Sequence, residues 1–173
     1  MWVKLVGSGL IIAAGTAIGF SLAGRYSERP RQLRQLIGGL AALSSYIGYG
    51  SLPLAAALTR AAAGLDGPVG DLFHQTAAII ADRGWLSPRA AFEEAMAAAG
   101  SRLAWYRAEG EVLLQLAANL GSTSREEQQK QLAIAVEELR QIELEALRLR
   151  DANVKMYRYL GICGALAVVI LLI

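Results

Sequence analysis

Hydrophobic residues recur at intervals of three or four along most of the chain, between about residues 27 and 158. This spacing places them on one face of a helix, and no run of alternating β-branched residues indicates a strand. Glycine and proline then divide the region into helices. The pattern predicts helices that begin at Ser27, Pro53, Pro68, Pro88, near Arg102 and at Ser124. The middle of the chain is therefore expected to be all-α.

Each predicted helix has an apolar face, and many of the facing positions are alanine. Small facing residues let helices pack closely but bury little area per residue, so we expect an antiparallel bundle of about six helices without a large pocket. The predicted inward positions are Leu33, Leu36, Ile37, Leu40, Leu43 and Ile47 in the first helix, Val69, Leu72, Phe73, Thr76, Ala77 and Ile80 in the third, and Leu132, Val136, Leu139, Ile142, Ala146 and Leu149 in the last.

The strongest local signal is a capping box at the start of the last helix. The Ser124 hydroxyl can accept from the amide three residues on, and the Glu127 carboxylate can reach back to the amide of Ser124. Neither glycine nor proline follows before Gly161. Two interpretations stay open: one unbroken helix of about fifty residues, about 75 Å long, or a bundle helix with a kink near residues 151–153.

The N-terminal segment is apolar enough to cross a membrane. Leu5 to Ala23 contains no charged residue, and as a helix it is about 28 Å long, close to the ~30 Å hydrocarbon thickness. We predict a transmembrane helix over residues 1–24. Gly15 and Gly19 form a Gly-xxx-Gly step, which is either a contact face for another helix or ordinary membrane-helix composition.

A cleaved signal peptide is the alternative for this segment, because Lys4 and the small residues before Ala23 fit that pattern. The arginines that follow it resist translocation, which favours a retained helix with residue 25 onwards in the cytoplasm.

The C-terminal segment mirrors the N-terminal one. Arg148, Arg150, Lys155 and Arg158 precede an uncharged stretch, for which we predict a short transmembrane helix over residues 159–173. An apolar tail buried against a partner is the alternative. With basic residues on the inner side of both spans, residues 25–158 form a cytoplasmic helical domain and both termini lie outside.

Composition and charge agree with this organisation. Of the 173 residues, 54% are hydrophobic and 18% charged, which is too apolar for an ordinary soluble domain. Residues 1–34 carry a net charge of +4 (five basic, one acidic), residues 35–147 carry −5 (eight basic, thirteen acidic) and residues 148–173 carry +3 (four basic, one acidic). One cysteine and one histidine exclude an internal disulfide and a His/Cys zinc module. The total of +2 gives no reason to expect nucleic-acid binding.

The residue types that carry catalysis are scarce. None of the three lysines lies in a Gly-rich turn, so the chain has no P-loop. His74 follows Phe73 within a predicted helix, where a partly buried packing role is expected rather than catalysis. Paired carboxylates one or two residues apart diverge on a helix and do not form a metal site. We therefore expect a non-enzymatic binding protein without metal or cofactor.

An ordered set of short motifs over nearly the whole chain resembles the stage III sporulation protein AB family. The motifs are Met1-Trp2 with Lys4, Gly19-Phe20, Tyr26 with residues 28–34 (ERPRQLR), Tyr49-Gly50 with Pro53-Leu54, Leu120-Gly121 with residues 125–128 (REEQ), and residues 155–158 (KMYR) with Leu160-Gly161.

The domain of that family is similar to the cytoplasmic F-domain of the platform protein in type II secretion and type IV pilus systems. Residues 49–54 with Ala57-Leu58 resemble the Gly-x-Pro-Leu stretch of the F-domain, and Glu109-Gly110-Glu111 resembles its Gly-Glu element. The resemblance implies a platform in the channel complex between mother cell and forespore. It also implies a place in the outer forespore membrane on the mother-cell side, and partnership with a separate secretion-type ATPase, the stage III sporulation protein AA.

Two hypotheses follow for the surfaces. Either the helical domain docks the ATPase and other channel-complex proteins, or the chain is a structural scaffold that oligomerises through Gly15 and Gly19 without ATPase contact. The candidate partner-binding residues are Arg29, Arg31, Arg34, Glu109, Glu111, Arg125, Glu126, Glu127 and Gln128.

Overall fold

The computed structural model describes residues 24, 27–48, 50, 52–121 and 124–172, with side chains as far as residue 152 and at Met156. The chain divides into two compact units. The larger is Arg31–Leu144, and the smaller is made of the residues before and after it. The predicted domain limits at residues 24 and 158 stay a prediction.

All regular secondary structure in the described residues is helical, as the periodicity of the sequence requires. Helix α1 covers residues 27–48. It is followed by α2 (Leu54–Ala62), α3 (Gly67–Asp82), α4 (Pro88–Ala99), a 3-10 turn (Gly100–Arg102), α5 (Arg107–Asn119) and α6 (Arg125–Leu172). The predicted all-α fold is confirmed for this part of the chain.

Proline and serine set the helix starts at the predicted places. Pro53 immediately precedes α2, and Pro68 lies in the first turn of α3, where the missing proline N–H costs no helical hydrogen bond. At α4, the Ser87 hydroxyl accepts a hydrogen bond from the Ala90 N–H at 3.3 Å, and Pro88 follows as the first helical residue.

Helix α5 begins five residues later than predicted, at Arg107 instead of Arg102. Gly100 adopts a φ of +51°, which ends α4, and the chain then makes a 3-10 turn and an extended stretch. Gln32 of α1 holds that stretch. Its amide Nε2 donates to the Arg102 carbonyl at 3.0 Å, and its Oε1 accepts from the Ala104 N–H at 2.8 Å. These backbone groups are thus bonded to a side chain instead of to a helical turn.

The core of the larger unit lies along one face of α1. Leu33, Leu36, Leu40 and Leu43 are fully buried there, at the predicted positions. Sequential helices pack on one another from α2 to α5. The rings of Phe73 in α3 and Phe92 in α4 meet edge to face, with centroids 6.2 Å apart and planes at 85°.

Three predicted side-chain positions differ in the structure. Ile79, and not Ile80, is the buried residue of the last turn of α3, because adjacent isoleucines leave the choice of face to the packing. Leu149 is exposed, although helical spacing places it on the apolar stripe of α6. His74 is also exposed, so the expected partly buried packing role was wrong.

Within the described residues, no helix has both the length and the apolar character needed to cross a membrane. Helix α6 continues through the predicted kink region to Leu172. The predicted N-terminal membrane helix, including Gly15 and Gly19, lies outside the described residues except for Gly24.

Candidate partner-binding surfaces

The first turn of α6 presents charged groups to solvent, as the sequence predicts. Arg125 and Glu126 are exposed, Glu127 is half-buried and Gln128 is buried. The half of the capping box that Ser124 supplies is confirmed, because its hydroxyl accepts from the Glu127 N–H at 3.3 Å. The Glu127 carboxylate instead accepts from Gln131 Nε2 at 2.8 Å. The surface at the α6 start therefore consists of Arg125 and Glu126, with Glu127 at its edge.

The three candidate arginines of α1 differ in exposure. Arg29 is buried, whereas Arg31 and Arg34 are exposed. Arg34 is paired within the larger unit: its Nε and Nη2 each lie 2.9 Å from Oε1 of Glu143 in α6. The Arg34 side chain is exposed and that of Glu143 is half-buried, and an ion pair at the surface contributes about 1 kcal/mol or less to stability. The charge of Arg34 is nevertheless balanced by Glu143 before any partner arrives, which weakens its attraction for an anion.

Glu109 and Glu111 have different environments despite their close spacing. Glu109 is fully buried, and its Oε2 accepts from the Tyr106 N–H at 2.9 Å at the start of α5. Glu111 is exposed and pairs with Arg107 one turn earlier, at 2.6 Å from Nε. Burial removes the Glu109 carboxylate from direct contact with a docked partner. Of the two, only Glu111 belongs to a surface.

A groove lies between α5 and α6, and the sequence did not predict it. Its cavity measures about 60 Å³ and is lined by Val112, Gln115, Leu116, Gln131, Ile134, Ala135 and Glu138. Val112, Leu116 and Ala135 are buried, whereas Ile134 is exposed over half of its surface. Small-molecule sites usually measure about 300–1,000 Å³, so this α5–α6 groove is better suited to side chains of another protein. A signal in the sequence was Ile134, a large apolar residue on the polar side of the predicted stripe.

Other exposed charges pair locally. Arg83 donates from Nη2 to Glu94 Oε1 at 2.6 Å, and this hydrogen bond raises the pKa of Arg83 above its ordinary value. Arg102 pairs with Asp71 at 2.7 Å, and Arg89 pairs with Glu93 at 3.3 Å.

Among the residues whose side chains are described, no group of three or more His, Cys, Asp or Glu has a geometry that could hold a metal ion.

Comparison with known proteins gives concordant matches. The family model described as "Stage III sporulation protein AB" matches residues 4–173. The Stage III sporulation protein AB of Bacillus subtilis (strain 168) is 36% identical over 169 residues, which are 98% of each chain. A solved structure of Stage III sporulation protein AB has a TM-score of 0.66 and 34% identity to this chain, and the match covers 72% of this chain and 98% of that one.

Proposed function

This chain belongs to the stage III sporulation protein AB family, and from that premise we propose that it is a membrane adaptor that docks a secretion-type ATPase in the sporulation channel complex. A role in sporulation follows from the family. The names of the matched proteins refer to a stage of sporulation and to no chemical reaction, which supports a non-enzymatic role.

In this proposal the chain is anchored at both ends. Residues 1–24 and 159–173 cross the outer forespore membrane, and the helices between them lie in the mother-cell cytoplasm. The distribution of charge supports this topology, because net positive segments flank a net negative middle.

The surface at the α6 start is the proposed docking site. The observation that carries this assignment is that Arg125 and Glu126 are exposed side by side in the first turn of a 48-residue helix. Charged groups of both signs there can pair with complementary charges on an ATPase, and such pairs fix the orientation of a complex. Helix α6 begins at this turn and continues to Leu172. The resemblance to the secretion F-domain supports the choice of an ATPase as the partner.

A titration of the full chain in detergent against the sporulation ATPase, with and without nucleotide, tests the proposal. The variant R125E/E126R leaves the net charge unchanged. The new acidic residue at the start of α6 is favourable to the helix dipole and the new basic residue is unfavourable, so the two effects on helix stability oppose each other. We expect its affinity to fall at least about tenfold, which corresponds to about 1.4 kcal/mol. The matched control is R89E/E93R, which exchanges an exposed ion pair on α4 and is expected to bind within about twofold of the original.

Equal binding by the two variants would reject the α6 start as the docking site. No binding by the original chain, with its helical content intact, would instead favour the structural scaffold. That alternative predicts disulfide crosslinks between copies when Gly15 and Gly19 are replaced by cysteine.

A further inference from the structure

The α5–α6 groove has the composition of a surface that another helix covers. Its floor is apolar and already buried, but Ile134 at its edge keeps 52% of its surface in water. Exposure of a large apolar side chain beside a cavity with an apolar floor leaves a hydrophobic area that a partner can bury. Single exposed hydrophobic residues are common on proteins, so Ile134 alone does not indicate a binding site, and the charge of the groove has to be considered as well.

Glu138 gives the groove a charge without a counterion. It lies one turn after Ile134 on α6 and is exposed, and no described cation forms an ion pair with it. Its neighbour Glu137 differs, because Oε2 of Glu137 lies 3.7 Å from Arg140 and Oε1 accepts from Gln141. Two further acidic residues each lie one turn before a groove residue: Glu111 pairs with Arg107, and Glu127 accepts a hydrogen bond from Gln131. Glu138 is therefore available to a cation from outside the chain.

The walls of the groove indicate the shape of its occupant. Val112 and Leu116 on α5 are four residues apart, as are Gln131 with Ala135 and Ile134 with Glu138 on α6. Such rows form ridges, and the space between two ridges accepts the ridge of a third helix. Helical walls present side chains and no unpaired strand backbone, so an added strand has nothing to pair with.

We propose that the α5–α6 groove binds an amphipathic helix of another protein, whose apolar ridge covers Ile134 and whose Lys or Arg pairs with Glu138. A cation is expected because Glu138 is the charged residue among those that line the groove, and no described cation pairs with it. This surface differs from the α6 start, so the inference does not depend on ATPase docking there.

Site-specific photocrosslinking tests the groove. The full chain carries p-benzoylphenylalanine in place of Ile134 in sporulating cells, and mass spectrometry identifies the crosslinked segment. Leu144 is the matched control position, because it is also apolar, on α6 and 51% exposed, but outside the groove. We expect crosslinks from position 134 to a segment with apolar residues at helical spacing and a Lys or Arg beside them, at several times the yield from position 144.

Charge variants provide the specific readout. Glu138→Lys is expected to lower the crosslink yield at position 134 at least about fivefold, whereas Glu137→Lys leaves it within about twofold. Changing the cation of the captured segment to Glu is expected to restore the yield with Glu138→Lys. The inference is overturned by crosslinks to lipid or to a segment without a cation, by a yield no higher than at position 144, or by equal losses in the two charge variants.

Discussion

The side chain of Gln32 binds the backbone N–H of Ala104, which lies seventy-two residues later in the chain. The Ala104 N–H donates to Gln32 Oε1 at 2.8 Å, and Gln32 Nε2 donates to the carbonyl of Arg102 at 3.0 Å. The Gln32 side chain is buried, so water does not readily substitute for either bond. One amide group on α1 thus holds the connection between α4 and α5, whereas Glu109 bonds the Tyr106 N–H at the residue before α5.

Replacing this amide is expected to destabilise the protein. Gln32→Ala removes both hydrogen bonds and leaves two backbone groups without partners, which costs about 2–4 kcal/mol. Gln75→Ala on the exposed side of α3 is the control and should change stability by less than about 0.5 kcal/mol. Urea unfolding in mild detergent, followed by far-UV circular dichroism, measures both. Equal effects of the two substitutions would show that Gln32 does not hold the connection.

Adjacent glycines on α1 are expected to respond in opposite directions to alanine. A Cβ at Gly39 would lie 2.8 Å from Leu65 Cδ1 and 3.0 Å from Phe73 Cζ, whereas a Cβ at Gly38 meets nothing within 4 Å. Gly38→Ala should stabilise by up to about 1 kcal/mol, because alanine favours the helix. At Gly39 the same gain is opposed by overpacking of about 1–3 kcal/mol, and we expect a net loss.

Melting temperatures of the two glycine variants decide this prediction. An increase for Gly38→Ala with a decrease for Gly39→Ala supports the close packing of α1 on Phe73. An increase of similar size for both would mean that α1 lies farther from α3 than the structure places it.

The sequence predicted most helix starts, because proline, glycine and serine act on the residues next to them. Ser87 and Pro88 show this at α4. It did not predict the extended stretch before α5, because that stretch is held by Gln32, which is distant in sequence. The same limit applies to the candidate surfaces. The spacing of Glu109 and Glu111 shows that they diverge, but only the packing of α5 shows which of them is buried.

The two glutamates of α5 are expected to differ in their effect on stability. Glu109→Ala removes a buried acceptor from the Tyr106 N–H and should cost about 1–3 kcal/mol. Glu109→Gln keeps a side-chain oxygen that can accept this hydrogen bond, so it should destabilise the protein less than Glu109→Ala. Glu111→Ala breaks only an exposed pair with Arg107, for which we expect less than about 0.5 kcal/mol. Denaturant unfolding of the three variants separates these values, and a larger loss for Glu111→Ala than for Glu109→Ala would contradict the assignment of Glu109 to the interior.

The hydroxyl of Ser124 is expected to hold the first turn of α6 in place. It accepts from the Glu127 N–H at 3.3 Å, and the Ser124 carbonyl accepts from the Gln128 N–H at 2.9 Å. Ser124→Ala removes only the side-chain bond, which should lower stability by about 1 kcal/mol, whereas Ser124→Asp keeps an acceptor and should be nearly neutral. Hydrogen exchange at the amides of residues 126–128 gives the local readout. We expect faster exchange there for Ser124→Ala alone, and unchanged exchange would mean that the surface at the α6 start is ordered without its cap.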